Sequence, residues 1–91
     1  MKIYIAGKIN GLKNYREVFK KAEMLLNSQG HECASLADLD DGFLYEDNIP
    51  ICTAMIDQCD AVYLLNNWEE SDGCKTLKAY AECTGKEVLY Q

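Results

Sequence analysis

The sequence of 91 residues is short of proline, histidine and basic side chains, and each shortage argues against a class of protein. A single proline in an otherwise ordinary globular composition argues against collagen-like and disordered chains. The single histidine, His31, leaves no second imidazole for a metal site. Nine basic residues against fifteen acidic ones give a net charge of −6, which argues against a nucleic-acid-binding surface. No apolar run is long enough to span a bilayer and no leader pattern opens the sequence, so we expect no membrane partner.

The five cysteines show no metal-binding or redox spacing. No two of them are separated by two residues, as a zinc ribbon or a thioredoxin-like motif would require. An odd number without such spacing predicts reduced thiols that serve as small apolar side chains. We therefore expect a cytoplasmic protein with neither a bound metal nor a cofactor. The cysteines are Cys33, Cys52, Cys59, Cys74 and Cys83.

Strand-like and helix-like segments alternate along the chain, which is short enough for one domain over residues 1–91. Such alternation with short connections implies right-handed crossovers and a parallel sheet. We predict an α/β fold with an open four-stranded sheet of order 2-1-3-4 and helices on both faces. The predicted strands are 2–6, 31–35, 61–65 and 87–90, and the predicted helices are 14–29, 72–84 and a third within 45–60 that starts near Ile49.

The segment from Asn14 to Gln29 is the clearest predicted helix. Asn14 followed three residues later by Glu17 predicts a capping box, and Gly30 predicts a left-handed stop. Helical spacing predicts one buried face made of Val18, Phe19, Ala22, Leu25 and Leu26.

The predicted topology also locates a ligand site. Open parallel sheets bind ligands beyond the carboxyl ends of their strands, here at the switch point between the first and third strands. Three loops meet there, 7–11, 36–44 and 66–73, and the first places helix N-terminal N–H groups beside glycines. The middle loop and its border carry four acids, for which a solvated surface is favoured over a ribose-binding role: Asp38, Asp40, Asp41 and Glu46.

Motifs along essentially the whole chain resemble those of one superfamily. In chain order they are Tyr4 to Gly11, Asn14 to Arg16, Cys59 to Leu65, Trp68-Glu69, Ser71 with Gly73, and Ala81 to Val88. Together they resemble the nucleoside 2-deoxyribosyltransferase-like superfamily, in particular its small members of undefined function.

The resemblance implies a flavodoxin-like fold and a site for a nucleotide or nucleoside. The enzymes of the superfamily cleave an N-glycosidic bond, with a glutamate of the last helix as the attacking group. Ser71 matches their phosphate-binding serine, and Gly73 matches the glycine that opens the last helix. The predicted ligand-binding residues are Tyr4, Gly7, Lys8, Ile9, Asn10, Gly11, Arg16, Asp38, Trp68, Ser71 and Gly73.

Both positions at which the resemblance predicts carboxylates hold apolar residues. Leu77 stands at the position of the nucleophile, and Cys52 stands at the position of a second acid. The favoured hypothesis is therefore a nucleotide- or nucleotide-sugar-binding protein, a sensor or a sequestering protein, that has lost glycosyl transfer. One alternative is an N-glycosidase or deoxyribosyltransferase that uses a substitute acid from the loop: Glu69, Glu70 or Asp72.

A second alternative is a protein-interaction module on the same scaffold, with Trp68, Tyr80 and Tyr90 as interface candidates. A homodimer or larger homo-oligomer is expected for two reasons. A four-stranded sheet of this length buries little core, and association is a common remedy. The superfamily's enzymes, moreover, complete their sites with residues from a neighbouring subunit.

Overall fold

The seven predicted strands and helices are present and follow one another in the predicted order. A computed structural model describes residues 1–39 and 48–91, so Asp40, Asp41 and Glu46 lie outside the described residues. The strands are β1 (Lys2–Ala6), β2 (Glu32–Ser35), β3 (Ala61–Leu64) and β4 (Glu87–Tyr90), and the helices are α1 (Tyr15–Ser28), α2 (Ile49–Asp57) and α3 (Asp72–Cys83). Short 3₁₀ turns follow two of the strands, at Leu36–Asp38 and Trp68–Glu70. No helix in the described ranges has the length and apolar character of a membrane span.

The four strands form one parallel sheet of order β2-β1-β3-β4, which confirms the predicted flavodoxin-like topology. Right-handed connections in this order place α1 on one face and α2 with α3 on the other. The register sets Tyr4 beside Ala34 and Val62, so these side chains share a face. Every residue of β3 is buried, as its continuous apolar sequence predicts for a central strand.

The buried face of α1 is narrower than its sequence predicts. Phe19, Ala22 and Leu26 are buried, but Leu25 is 50% exposed, so its assignment to the core is wrong. Each residue turns the helix by about 100°, which moves Leu25 to the flank of the stripe that contains Leu26. The same rotation leaves Met24 61% exposed.

The structure confirms the predicted C-terminal stop of α1 but not its predicted N-terminal capping box. Asn14 is the N-cap residue, but its side chain makes no capping hydrogen bond, so the predicted capping box is wrong. Its φ of −101° and ψ of 28° lie outside the extended region from which a cap side chain normally reaches back to the helix N–H groups. Gly30 has a φ of +90° and ends the helix as predicted.

Candidate functional site

A small cavity lies beyond the carboxyl end of β1, where the predicted switch point falls. Its volume is about 20 Å³, enough for roughly one water molecule. All three predicted loops contribute to its lining, which confirms that the fold brings them together: Gly7 and Ile9 come from the first, Leu36 from the second and Ser71 from the third. The full lining is Tyr4, Ile5, Ala6, Gly7, Ile9, Phe19, Leu36, Cys52, Ser71, Cys74 and Leu77.

The buried polar side chains from β1 and α2 are neutral. The Tyr4 hydroxyl and the Cys52 thiol share a hydrogen bond, and both residues are 2% exposed. Burial, reinforced by this hydrogen bond, raises the pKa of the Tyr4 phenol well above its usual value. Burial also raises the pKa of the Cys52 thiol. Neither group is therefore an anion at neutral pH.

Positions 52 and 77 both line this cavity. These are the two positions at which the resemblance predicts acids. Leu77, 4% exposed, reaches it from α3, and Cys52 reaches it from α2. Among the described residues that line the cavity, none is an aspartate or a glutamate. The cavity therefore presents a thiol and an aliphatic side chain at the two positions where the resemblance predicts carboxylates.

Ser71 is the N-cap of α3 and is 1% exposed. Its Oγ accepts a hydrogen bond from the Cys74 backbone N–H at 3.1 Å. Serine is a preferred N-cap because its hydroxyl satisfies one of the first N–H groups of a helix. Gly73, the other predicted residue here, lies in the first turn of α3 and is half-buried. The predicted phosphate-binding serine thus has a structural role at the wall of the cavity.

Two positions of the first loop require glycine, one because of a close steric contact and the other because of its backbone conformation. At Gly7, a methyl group would collide with the side chain of Leu65, which is fully buried just after β3. Gly11 has a φ of +80°, a conformation that other residues rarely adopt. These glycines hold the loop close to the neighbouring strand and turn it toward α1.

Lys8 joins the first loop to the loop after β3. Its backbone N–H donates to Asn67 Oδ1 at 2.9 Å, and its Nζ forms an ion pair with Glu70 Oε1 at 3.2 Å. The lysine side chain is 28% exposed and the glutamate side chain is 63% exposed. Glu70, one of the three candidate acids, therefore neutralises the predicted ligand-binding lysine.

An open groove of about 570 Å³ runs beside the cavity at the N-terminus of α1. Asn10, Gly11 and Arg16 line it, and Ile9 lines both the groove and the cavity. The other lining residues are Lys13, Asn14, Tyr15 and Glu17. The groove combines two cationic side chains and the Glu17 carboxylate with the N-terminus of a 14-residue helix, and its net positive charge together with the helix N-terminus favours anions.

Arg16 and Asp38 stabilise the end of β2. The Arg16 guanidinium donates to the Ala37 carbonyl oxygen at 2.9 Å and lies 5.2 Å from the centroid of the Tyr15 ring. The Asp38 carboxylate accepts from the Ser35 N–H at 3.1 Å. Both predicted residues lie near the site, and both take part in holding the 3₁₀ turn at Leu36–Asp38.

Trp68, Glu69 and Asp72 are among the predicted residues that line neither the cavity nor the groove. Trp68 packs against Tyr90, with ring centroids 6.2 Å apart, on the β4 side of the sheet. Glu69 and Asp72 are exposed, and the Asp72 carboxylate lies 3.8 Å from the Lys75 Nζ. With Glu70 held by Lys8, the structure places none of the candidate acids at the cavity wall.

A model of one protein family, described as a domain of unknown function and named DUF4406, matches residues 1–90. The chain belongs to the DUF4406 family. No curated protein and no solved structure matches it. The relationship to the nucleoside 2-deoxyribosyltransferase-like superfamily therefore stays a prediction for this DUF4406 chain.

Sequence reasoning missed Asn67, which fixes the backbone of the first loop of the DUF4406 domain through the Lys8 N–H. The available signal was the Asn66-Asn67 pair directly after a buried strand, a place where polar side chains meet neighbouring loops. It also missed that Phe19 of α1 closes the apolar side of the cavity. Its helical spacing identifies it only as a core residue.

Proposed function

We propose that this DUF4406 protein binds a nucleotide or nucleotide-sugar ligand beyond the carboxyl end of β1 and has lost glycosyl transfer. One observation carries the proposal. The first loop, Ser71 and the two positions 52 and 77 surround a single cavity at the switch point, and its described lining contains no carboxylate. Such a protein serves as a sensor of a nucleotide signal or sequesters it.

The size of the cavity constrains how the ligand binds. Pockets that hold small molecules typically measure about 300–1,000 Å³, far more than the cavity beside Tyr4. The body of the ligand therefore lies outside it, over Ile9 and in the groove at the N-terminus of α1. There, Asn10, Lys13 and the N–H groups of the first helical turn are suited to phosphate and sugar hydroxyl groups.

The loss of catalysis follows from the residues at the cavity wall. Cleavage of an N-glycosidic bond passes through a positively charged, oxocarbenium-like centre that a carboxylate attacks or stabilises. Leu77 has no charge to offer, and the pKa of the Cys52 thiol is raised, so its thiolate is scarce at neutral pH. Binding can persist without these acids because the groove uses other residues.

Calorimetry tests binding directly. We expect a panel of nucleosides, their mono- and diphosphates and ADP-ribose to include a ligand with a Kd on the order of 1 μM, equivalent to about −8 kcal/mol. Asn10→Ala removes an exposed amide from the groove and is expected to weaken binding by about tenfold, the loss of one good hydrogen bond. Asn27→Ala, the same change near the other end of α1, is the matched control. No heat for any ligand from folded protein would contradict the proposal.

The enzymatic alternative has a separate readout. A substitute acid would release free base from a deoxynucleoside or its monophosphate, and Glu69→Gln, Glu70→Gln or Asp72→Asn would abolish the release. Chromatography of overnight incubations detects the base. Reproducible release that is lost in one of these variants would overturn the assignment as a binding protein.

A further inference from the structure

The ion pair between Lys8 and Glu70 lies at the edge of the proposed ligand site. Lys8 is the only charged residue between Gly7 and Gly11. Both of its neighbours in sequence, Gly7 and Ile9, line the cavity. Its Nζ lies 3.2 Å from Glu70 Oε1, so the cation of the loop is already matched by an anion of the same chain.

We infer that Glu70 is a specificity-determining residue that sets the balance between phosphorylated and unphosphorylated forms of the ligand. The inference rests on the proposed function and deepens it. A phosphate that approached Lys8 Nζ would take the place of the Glu70 carboxylate or lie a few ångströms from it. In either case the ligand phosphate must compete with Glu70, whereas an uncharged nucleoside need not.

The ligand phosphate competes with the Glu70 side chain, which can move while the turn that carries it stays in place. The 3₁₀ turn at Trp68–Glu70 is held by the Ser71 N–H, which donates to the Trp68 carbonyl oxygen at 3.1 Å. It is also anchored by the contact between the Trp68 and Tyr90 rings. The Glu70 side chain, 63% exposed, can leave Lys8 by rotation into solvent while this backbone stays in place.

Electrostatics gives the expected size of the effect. Removing one unit charge at about 4 Å in a water-like dielectric changes affinity by about fivefold. Glu70→Gln is therefore expected to tighten the binding of a nucleoside monophosphate by about fivefold and to leave the binding of the parent nucleoside within twofold. Because salt screens exposed charges, the gain should shrink to under about twofold near 0.5 M salt.

The test is calorimetry of the wild type, Glu70→Gln and Glu82→Gln with thymidine, deoxyadenosine and their 5′-monophosphates at low and high salt. Glu82→Gln is the matched control, because it makes the same charge change at an exposed ion pair with Lys78. Only Glu70→Gln should favour the monophosphates. In a Lys8→Met background the Glu70→Gln gain should be smaller than in the wild type, because the two anions no longer compete for a cation; a general change in charge or stability would not produce this coupling.

Two sets of results would overturn the inference, and they differ in what else they overturn. If the wild type binds a probe but Glu70→Gln and Glu82→Gln have equal effects, or the nucleoside gains as much as the monophosphate, Glu70 has no role in selectivity. The proposed function then stands. If neither the wild type nor Glu70→Gln binds any probe, the proposed function fails and the inference falls with it.

Discussion

Tyr4 shows at the scale of one residue how the core and the candidate site share side chains. The residue belongs to a central strand, is 2% exposed, and shares a hydrogen bond with the Cys52 thiol at the wall of the cavity. The free-energy cost of burying its hydroxyl is offset because the hydroxyl keeps a hydrogen-bond partner. The neutral phenol is the form that the fold stabilises, and this has a consequence for stability at high pH.

Tyr4→Phe is expected to flatten the loss of stability above pH 10. Burial raises the folded-state pKa of Tyr4, so its contribution is complete below the unfolded-state pKa of about 10 and is lost as pH rises toward the folded value. Within that window the wild type should lose up to about 1.4 kcal/mol of unfolding free energy per pH unit more than the variant. At neutral pH the variant should be less stable by about 1 kcal/mol, for the lost hydrogen bond.

Urea denaturation between pH 7 and pH 11 measures both quantities. Cys59, whose pKa burial also raises, contributes its own loss above about pH 9 in both proteins and cancels in the comparison. The contribution of Cys52 differs between the two proteins, because its thiol interacts with the Tyr4 hydroxyl, but its loss begins about one pH unit below that of Tyr4. Parallel curves for the wild type and Tyr4→Phe above pH 10 would contradict the assignment of a raised pKa to Tyr4.

Residue-scale roles were only partly predictable from the sequence. The motif around Ser71 and Gly73 located the wall of the cavity, and Leu77 and Cys52 lie where the resemblance places catalytic positions. The ion pair of Lys8 with Glu70 was not predictable, because the two residues are 62 positions apart and meet only through the register of the sheet. The packing of Trp68 on Tyr90 depends on the same long-range geometry.

At the scale of elements, the two longest helices begin in different ways. Ser71 caps α3 with its side chain, whereas Asn14 precedes α1 without a capping side-chain hydrogen bond. Serine and asparagine are both preferred at N-cap positions, so residue type does not distinguish the two. Backbone conformation separates them, since Ser71 is extended with a φ of −125° and a ψ of 118°.

Alanine at the two N-cap positions should therefore have unequal effects. Ser71→Ala removes the acceptor of the Cys74 N–H and is expected to cost about 1–2 kcal/mol of unfolding free energy. Asn14→Ala, the matched change, should cost less than about 0.5 kcal/mol, as at an ordinary surface position. Thermal or urea denaturation at neutral pH measures both. Equal losses at the two positions would contradict the difference in capping.

Element order was predictable because strand-like and helix-like patterns alternate clearly. Gly30, with a positive φ, ends α1 as predicted, and α2 begins at Ile49 with Pro50 in its first turn. Gly85, which also has a positive φ, follows the end of α3. The exposure of Leu25 was not predictable from spacing alone, because a single helix covers only part of its face of the sheet. Which flank stays open depends on where α1 lies across β1 and β2.

At the scale of the whole molecule, association remains a prediction. The chain has a mass of 10.3 kDa, and exposed apolar side chains on α1 include Met24 and Leu25. Small domains often gain buried apolar area by self-association. Light scattering at micromolar concentration is expected to report at least twice the mass of the monomer. A constant mass near 10.3 kDa would contradict the oligomer.

The central proposal is that the switch-point site of this DUF4406 protein binds its ligand without cleaving its N-glycosidic bond. The most direct measurement combines binding and chemistry in one sample. A deoxynucleoside 5′-monophosphate that calorimetry shows to bind is incubated overnight with an excess of protein, the protein is removed, and the ligand is analysed by chromatography. We predict recovery of the intact monophosphate. Free base above the level of a protein-free control would contradict the claim.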